Sequence, residues 1–403
     1  MDQQRRPDPL ALSEEVTRPN LKKAQDVIVH FPPKVKLQFD DIFVSTVKAV
    51  YFSSLAKCEF LVHISSRMKT FFVTGGAGFI GSCFVRLLLD EYLECRVVNF
   101  DALTYAGNPD NLDGLDSQRH RFVCGNISDR DAVLANLDEN TDVLVNFAAE
   151  SHVDRSITSA AEFLNTNITG TQVLLDAARA RGVKRFVQIS TDEVMGSLPE
   201  NDESFFTETS PFAPNSPYAA SKAAAEHLVR AAHHTFGLNT IVTRCGNNYG
   251  PRQFPEKFLP LVLANAMNDE AIPVYGDGMN VRDWIYVEDH CRAILTAMEN
   301  GRSGSVYNIG ARNERRNIEV VESVLDALGK PRSLIEFVKD RLGHDRRYAI
   351  DPARVESELG WRPRETWASG LSKTIDWYRE NGAWIEKVRN LAYRDYYKAQ
   401  YGG

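Results

Sequence analysis

Lys69-Thr-Phe-Phe-Val-Thr74, Gly75-Gly-Ala-Gly78-Phe-Ile-Gly81 and Ser82-Cys-Phe-Val-Arg-Leu-Leu-Leu-Asp90 follow one another without a break. An apolar run, a glycine-rich turn and an amphipathic run in that order predict strand, turn and helix. The glycines permit a tight turn, close approach of the backbone to a pyrophosphate, and close packing of helix on strand. The helix N-terminus offers free N–H donors to phosphate oxygens. The next apolar run, Cys95-Arg-Val-Val-Asn-Phe100, ends in Asp101, twenty residues after Gly81. An acid at that distance suits the ribose hydroxyls of a dinucleotide and repels a 2′-phosphate, so NAD is expected rather than NADP.

Outward from this unit, strand and helix patterns alternate. Strands are predicted at 71–74, 97–101, 122–124, 143–148, 186–191 and 240–244, with helices at 78–92, 129–137, 167–181 and 216–235 between them. Such alternation predicts an α/β fold of Rossmann type, a doubly wound parallel sheet with helices on both faces. Ligands bind at the carboxyl ends of the strands in such sheets. After Gly250-Pro251 the pattern loosens, with prolines at 255, 260 and 273 and a turn at Gly276-Asp-Gly278, where a smaller mixed α/β substrate-holding domain is expected to begin.

The chemistry is concentrated between 189 and 222. Ser190-Thr191-Asp192-Glu193-Val194 closes a predicted strand, and Tyr218-Ala-Ala-Ser221-Lys222 opens a predicted helix. Tyrosine and lysine at i and i+4 share a helix face, so the ammonium can favour a phenolate that takes a proton from an alcohol as hydride leaves. Oxidation alone needs no more. The adjacent carboxyl groups of Asp192 and Glu193 point to a second task, one giving a proton to a leaving group and the other removing one from carbon. As a constellation these residues outweigh the bland reading of each alone, a solvated acidic pair or a chance helix-surface pair.

A formal charge of −7 lacks the concentrated basic face that nucleic acid needs, so no nucleic-acid partner is expected. The six cysteines, at 58, 83, 95, 124, 245 and 291, form no C-x-x-C pair, and neither a metal site nor a disulfide framework is readable. Reduced thiols in a cytoplasmic protein are expected, with no membrane partner. Residues 1–67 match neither template. They read as an N-terminal extension, disordered or lying upstream of a true start at Met68, against the alternative of a small accessory element. His152 is left outside the catalytic set, Arg346 and Arg347 read as a solvated charge run, and Leu174, Ala177 and Ala178 form a helical stripe suited to core or dimer interface.

Longer blocks carry a resemblance. Leu103-Thr-Tyr-Ala-Gly-Asn108, Ala148-Ala-Glu-Ser-His-Val-Asp-Arg-Ser-Ile157, Thr191-Asp-Glu-Val194, Asn247-Asn-Tyr-Gly-Pro251, Phe254-Pro-Glu-Lys257, Arg282-Asp-Trp284 and Gly343-His-Asp-Arg-Arg-Tyr348 together resemble the extended short-chain dehydrogenase/reductases. Within these, the match is to the dTDP-glucose 4,6-dehydratases. The resemblance runs from about residue 69 to about 392.

It implies an NAD-dependent hydro-lyase that oxidises a nucleotide-sugar at carbon 4, eliminates water across carbons 5 and 6, and returns hydride to carbon 6 in deoxysugar biosynthesis such as that of dTDP-rhamnose. Tyr218, Lys222 and Thr191 would serve the oxidation, Glu193 the carbon 5 proton and Asp192 the departing hydroxyl. The cofactor would be lined by Gly75, Gly78, Phe79, Ile80, Gly81, Asp101, Ala102, Leu103, Thr104, Asn126, Ile127, Phe147, Ala148, Ala149, Glu150, Ser151, Thr166, Tyr218, Lys222 and Asn248. The nucleotide-diphosphate sugar would meet Ser151, Thr191, Asn247, Lys257, Phe258, Pro273, Val274, Tyr275, Arg282, Asn317, Asp340, Arg341 and His344.

The implied domains are an NAD-binding domain at 68–245 with a returning segment at about 281–310, a nucleotide-sugar-binding domain at 246–280 and 311–392, and a tail at 393–403. A homodimer is implied by kinship alone. Two positions depart from the family pattern: Met195 stands for a tyrosine, where it can reshape the sugar pocket, and Leu342 stands for a proline. They leave open a dehydratase of a UDP-hexose or UDP-N-acetylhexosamine. A 4-epimerase, with no use for the acid pair, and a silent NAD-binding scaffold are more distant alternatives.

Overall fold

The computed structural model describes residues 68–200 and 203–389. The expectations for 1–67 and for the tail at 393–403 lie outside the described residues. Twelve strands lie within the described residues. β1 (Lys69–Thr74), β2 (Cys95–Asp101), β3 (His120–Cys124), β4 (Val143–Asn146), β5 (Arg185–Thr191), β6 (Thr240–Cys245) and β10 (Ser305–Ile309) form one sheet in the order β10-β6-β5-β4-β1-β2-β3. Every pairing in it is parallel. The expected fold class is what the chain adopts.

Side-chain alternation explains why β1 is apolar throughout. Phe71 and Val73 face a core that also holds Leu88, Ile294 and Ala297, whereas Phe72 faces the opposite core with Leu174 and Phe186. A strand buried on both faces reads as a continuous hydrophobic run. Leu174, Ala177 and Ala178, at most 2% exposed, are spent on the second core. A polar strap ties the middle of the sheet, for Thr74 Oγ1 donates to Asn146 Oδ1 at 2.6 Å and Asn146 Nδ2 to Gln188 Oε1 at 3.0 Å.

Strand order reverses between β1 and β4, where Thr74 pairs with Phe100 on one side and Asn146 on the other. The next residues of all three strands, Gly75, Asp101 and Phe147, therefore meet at one edge, the switch point where a crevice must open.

The expected helix at 167–181 is α-helical only over Thr171–Ala180. Before it, Leu164–Gly170 forms a wider π-type turn. There Asn167 gives its Nδ2 to the Glu150 carbonyl (3.0 Å) and to Ser221 Oγ (2.8 Å), and its Oδ1 accepts from Glu150 N (2.9 Å). Bulges of this kind recur at functional sites, and this one joins the end of β4 to the Pro217–Phe236 helix.

β7 (Asn247–Tyr249), β9 (Val281–Tyr286) and β11 (Glu314–Arg316) form a second sheet, and β8 (Ile272–Tyr275) pairs with β12 (Ile335–Val338). Around them Trp284, Tyr249, Trp367 and Tyr378 build a third core. The chain then returns, since the Val287–Asn300 helix packs on the first core and β10 extends the main sheet beside β6. The basic pair is not a solvated run. Arg347, 6% exposed, pairs with Glu314 at 2.8 Å, and Arg346 joins Glu200 (3.0 Å) to Asp277 (2.8 Å).

Candidate active site

At the end of β1 each glycine answers a different steric demand. Gly75 has φ +70°, and a Cβ there would lie 2.6 Å from Ala148 N; at Gly81 it would lie 2.2 Å from the Gly75 carbonyl oxygen. At Gly78 a Cβ would meet only Gly75 O, at 3.3 Å, so that position opens on the crevice. The Phe79–Glu91 helix starts there with no side-chain cap and no acid in its first turn. Its N-terminal N–H groups and dipole are thus left for an anion. Asp101 is buried, with Oδ2 accepting from Ala77 N (2.9 Å) and Oδ1 from Leu103 N (2.8 Å). Burial still raises its carboxyl above the usual range. Glycine cradle, uncapped helix and buried aspartate fit a dinucleotide without a 2′-phosphate.

A cavity of about 330 Å³ runs from this cradle to the ends of β5 and β6. Every expected cofactor position lines it except Leu103, whose φ of 49° serves the turn that brings its N–H to Asp101. All five expected catalytic residues line the same cavity, as do Ser151, Asn247 and Lys257 of the expected substrate set.

Thr191 is the last residue of β5, and its Oγ1 accepts from Glu193 N at 3.3 Å. This caps the short 3-10 turn Asp192–Met195 and holds both carboxyl groups at the strand end. Ser216 caps the Pro217–Phe236 helix by accepting from Ala219 N (3.1 Å), with Pro217 preset for the first turn. Tyr218, Ser221, Lys222 and Glu226 lie on the buried face of that helix.

Electrostatics separate these groups. Asp192 is 2% exposed, and its Oδ2 is buried without a hydrogen-bond partner. Burial, then the neighbouring Glu193, raise its carboxyl well above the usual range against the pull of Arg282. Its environment therefore favours the protonated form of a side chain that lines the cavity. Glu193 is also raised by burial, but Arg341, Arg282 and Lys257 all draw it back towards the carboxylate. Burial lowers Lys222 to about 8, and its Nζ donates to the Ile189 carbonyl at 2.7 Å. Burial and then Glu193 push the Tyr218 phenol well up, while the Thr191 hydroxyl acts the other way. Burial outweighs the depression of the phenol expected from Lys222, whose ammonium is bonded to the strand.

The remaining expected substrate residues divide. Tyr275, Asp340 and Arg341 line a second cavity of about 640 Å³. Arg341 Nη1 lies 3.4 Å from Asp154 Oδ1, and Lys257 Nζ donates to Ser151 O at 2.8 Å. Arg282 is buried with its guanidinium 4.2 Å above the Tyr348 ring, and the carboxyls of Glu193 and Asp192 act on it electrostatically. His344 Nδ1 lies 2.6 Å from Asp340 Oδ1. Phe258 and Val274 contribute to the third core, Pro273 is buried on β8 opposite Glu336, and Asn317 opens a helix with its N–H on Asn280 O.

Gln253, Phe254 and Glu256 line the first cavity and Asp154, Glu336 and Lys339 the second, none of them expected. The charged pair inside Phe254-Pro-Glu-Lys257 was the legible signal for Glu256. Met195 lines neither cavity. It is 3% exposed, packed with Val194, Phe206, Ala223, Tyr348 and Ile350, and its Sδ accepts from Arg244 Nη1 at 3.6 Å.

A family model described as GDP-mannose 4,6 dehydratase matches residues 72–374. The dTDP-glucose 4,6-dehydratase of Xanthomonas campestris pv. campestris (strain B100) is 51% identical over 347 residues, 81% of this chain and 98% of that one. The crystal structure of the dTDP-glucose 4,6-dehydratase DesIV from Streptomyces venezuelae, with NAD bound, superposes with a TM-score of 0.76 at 49% identity, covering 79% of this chain and 99% of its own. That of the Bacillus anthracis dTDP-glucose 4,6-dehydratase, in complex with NAD, has a TM-score of 0.73 at 45% identity, covering 79% and 99%. With about half of the aligned residues identical across nearly the full length of such relatives, and with a dinucleotide cradle opening onto an acid pair, this chain belongs to the dTDP-glucose 4,6-dehydratase family of the extended short-chain dehydrogenase/reductases.

Proposed function

We propose that this enzyme converts dTDP-glucose to dTDP-4-keto-6-deoxy-glucose. One observation carries the reading: Asp192 and Glu193, adjacent in sequence, share a cavity with Tyr218 and Lys222 at the mouth of the dinucleotide cradle, yet face different charges. When bound, NAD supplies a hydride acceptor at carbon 4 and returns the same hydride at carbon 6, so it is regenerated in each turnover.

Tyr218 takes the proton of the 4-hydroxyl, with the Lys222 ammonium and the Thr191 hydroxyl favouring its phenolate as the sugar displaces water. The 4-ketone acidifies carbon 5. Glu193, drawn towards its carboxylate by three cations, removes the carbon 5 proton. Asp192, whose carboxyl is raised by burial, gives its proton to the departing 6-hydroxyl, and water leaves. As hydride returns to carbon 6, Glu193 gives its proton back to carbon 5, and the proton taken by Tyr218 passes through solvent to restore Asp192. Lys257, on the first cavity, and Arg341, on the second, are the cations that suit a diphosphate.

The same reading assigns an NAD-binding lobe at 68–245 with its return near 281–310, and a nucleotide-sugar lobe at 246–280 and 311–392. It also includes a cytoplasmic homodimer. Among the described residues no helix is long and apolar enough to cross a membrane. Light scattering of the purified protein tests the dimer. Mass spectrometry after separate incubation with dTDP-glucose, UDP-glucose and UDP-N-acetylglucosamine tests the reaction. Loss of one water from dTDP-glucose alone, without net NADH, is expected; water loss only from a UDP-sugar moves the substrate, and none from any of the three overturns the dehydratase reading.

A further inference from the structure

One turn beyond Lys222 on the same helix lies a buried charged cluster that the reaction scheme leaves unused. Glu226 is 4% exposed and Arg244 2%. The Glu226 carboxylate accepts from Ser190 Oγ at 2.5 Å, from Arg244 Nε at 3.1 Å to both oxygens, and from Arg244 Nη2 at 2.8 Å. Ser190 and Arg244 are register partners on β5 and β6. Each immediately precedes a residue of the cavity wall, Thr191 and Cys245. Arg244 also reaches Met195 Sδ, at the far end of the turn that carries Asp192 and Glu193. One carboxylate thus holds the helix of Tyr218 to both strands behind the site.

Its place relative to Lys222 gives it a second consequence. Residues four apart on a helix have Cβ atoms about 5–6 Å from each other, and both side chains are buried on the same face. Lys222 shares the cavity wall with Tyr218 on its own helix, with Asp192 and Glu193 from the turn after β5, and with Cys245, the residue after Arg244 on β6. Burial works against the ammonium, and of these neighbours Glu226 opposes burial most, then Cys245. The Cys245 thiol is itself pushed up to about 12 by burial, and the Asp192 carboxyl is raised well above its usual range, so both environments favour the uncharged form. Glu193 is drawn to its own cations, Arg341, Arg282 and Lys257, which leaves Glu226 as the anion acting on Lys222.

We propose that Glu226 is a positioning residue of the reaction: clamped by Ser190 and Arg244, it is the fixed buried anion against which the Lys222 ammonium is held beside Tyr218. This rests on the role given to Tyr218 and Lys222 above. Arg244 pairs with the Glu226 carboxylate directly, at 2.8 Å, while the Lys222 ammonium, bonded to the Ile189 carbonyl, meets its charge across one helix turn. If the carboxylate is removed, lysine rather than arginine gives up its proton, because a guanidinium does not deprotonate in proteins.

The test reads Lys222 directly. In NAD-loaded protein carrying [13Cε]lysine, the Lys222 resonance is assigned by its loss in Lys222→Met and followed against pH in wild type, Glu226→Gln and Glu226→Gln/Arg244→Met. The double variant removes both charges and keeps the test open where the single variant folds poorly. In both variants Lys222 is expected to titrate at least about one pH unit lower, and the alkaline limb of turnover to move with it, even where the double variant recovers thermal stability. A wild-type titration in the double variant overturns the proposal and leaves the cluster as a clamp of the fold. A displaced resonance with an unmoved limb overturns the positioning role by removing Lys222 from the rate-determining chemistry, a failure of the reaction scheme rather than of the electrostatic link.

Discussion

The ends of β1 and β5 open on one cavity and are built on opposite principles. At the end of β1 the chain withholds side chains: the three glycines nearest the crevice and an uncapped helix terminus leave backbone N–H groups as the binding surface. At the end of β5 it crowds side chains together, burying Asp192, Tyr218 and Lys222, and burial perturbs each of them. The first region holds its ligand by shape and a fixed dipole, neither of which titrates. In the proposed reaction the second moves protons, so its behaviour is set by which groups are charged.

Tyr218→Phe is the largest expected break in that division. It removes one proton carrier and leaves the cradle intact, so turnover and transient NADH should both fall about a thousandfold or more while NAD affinity stays within a fewfold. Single-turnover absorbance at the NADH band and equilibrium dialysis read the two. Reduction of NAD at the wild-type rate would contradict the assigned base. Glu193→Gln divides the second region more finely. Exchange of the carbon 5 proton with solvent and overall turnover should drop roughly a hundredfold to a thousandfold, with initial NADH formation preserved. Unchanged turnover removes Glu193 from the mechanism.

The two regions also differed in how far they could be read ahead of the structure. Gly75, Gly78, Gly81 and Asp101 are separated by fixed short spacings within one βαβ unit, and all four line the cavity as expected. Local geometry sufficed because backbone does the binding. Thr191, Asp192, Glu193, Tyr218 and Lys222 were legible as types and converge as expected, but their charge states were not, since burial arises from packing between β5, β6 and the Pro217–Phe236 helix. The same reason hid the inward path of Met195 and the role of the Leu164–Gly170 π-turn, where an asparagine rather than a helical repeat decides the backbone. The substrate side was least legible. Val274 and Phe258 have side chains in the third core, a choice between strand or helix faces that only the tertiary packing makes.

Two glycine substitutions sharpen the steric account of β1. In Gly81→Ala the new Cβ would lie 2.2 Å from the Gly75 carbonyl oxygen, so helix and strand must separate, costing about 1–3 kcal/mol. In Gly78→Ala the new methyl meets only Gly75 O at 3.3 Å and otherwise occupies the space meant for a ligand. That variant should keep its melting temperature and lose NAD affinity about tenfold, the equivalent of one charge-assisted hydrogen bond. Calorimetry with and without NAD separates the two. If Gly78→Ala lowered stability and spared affinity, the crevice at the helix start would not be the dinucleotide site.

The smallest expected effect comes from pH, which should act on the end of β5, with opposite signs on stability and turnover, and leave the end of β1 unmoved. Lys222 is lowered from 10.5 to about 8 by burial. Between those values the unfolded chain binds the proton that the folded chain has lost. The contribution of this group therefore makes the fold gain stability as pH rises from about 8 to 10.5. Turnover should move the other way, falling severalfold above about pH 8 as the ammonium beside Tyr218 disappears, while NAD affinity at the β1 cradle stays flat through that limb. Denaturant unfolding against pH, with Lys222→Met as the control that removes the slope due to this group, measures the first. Steady-state rates and NAD binding over the same range measure the others. Stability and turnover falling together above pH 8 would place the lost proton elsewhere in the fold, whereas opposite slopes with an unmoved affinity would locate the pH sensitivity at the end of β5 and not at the end of β1.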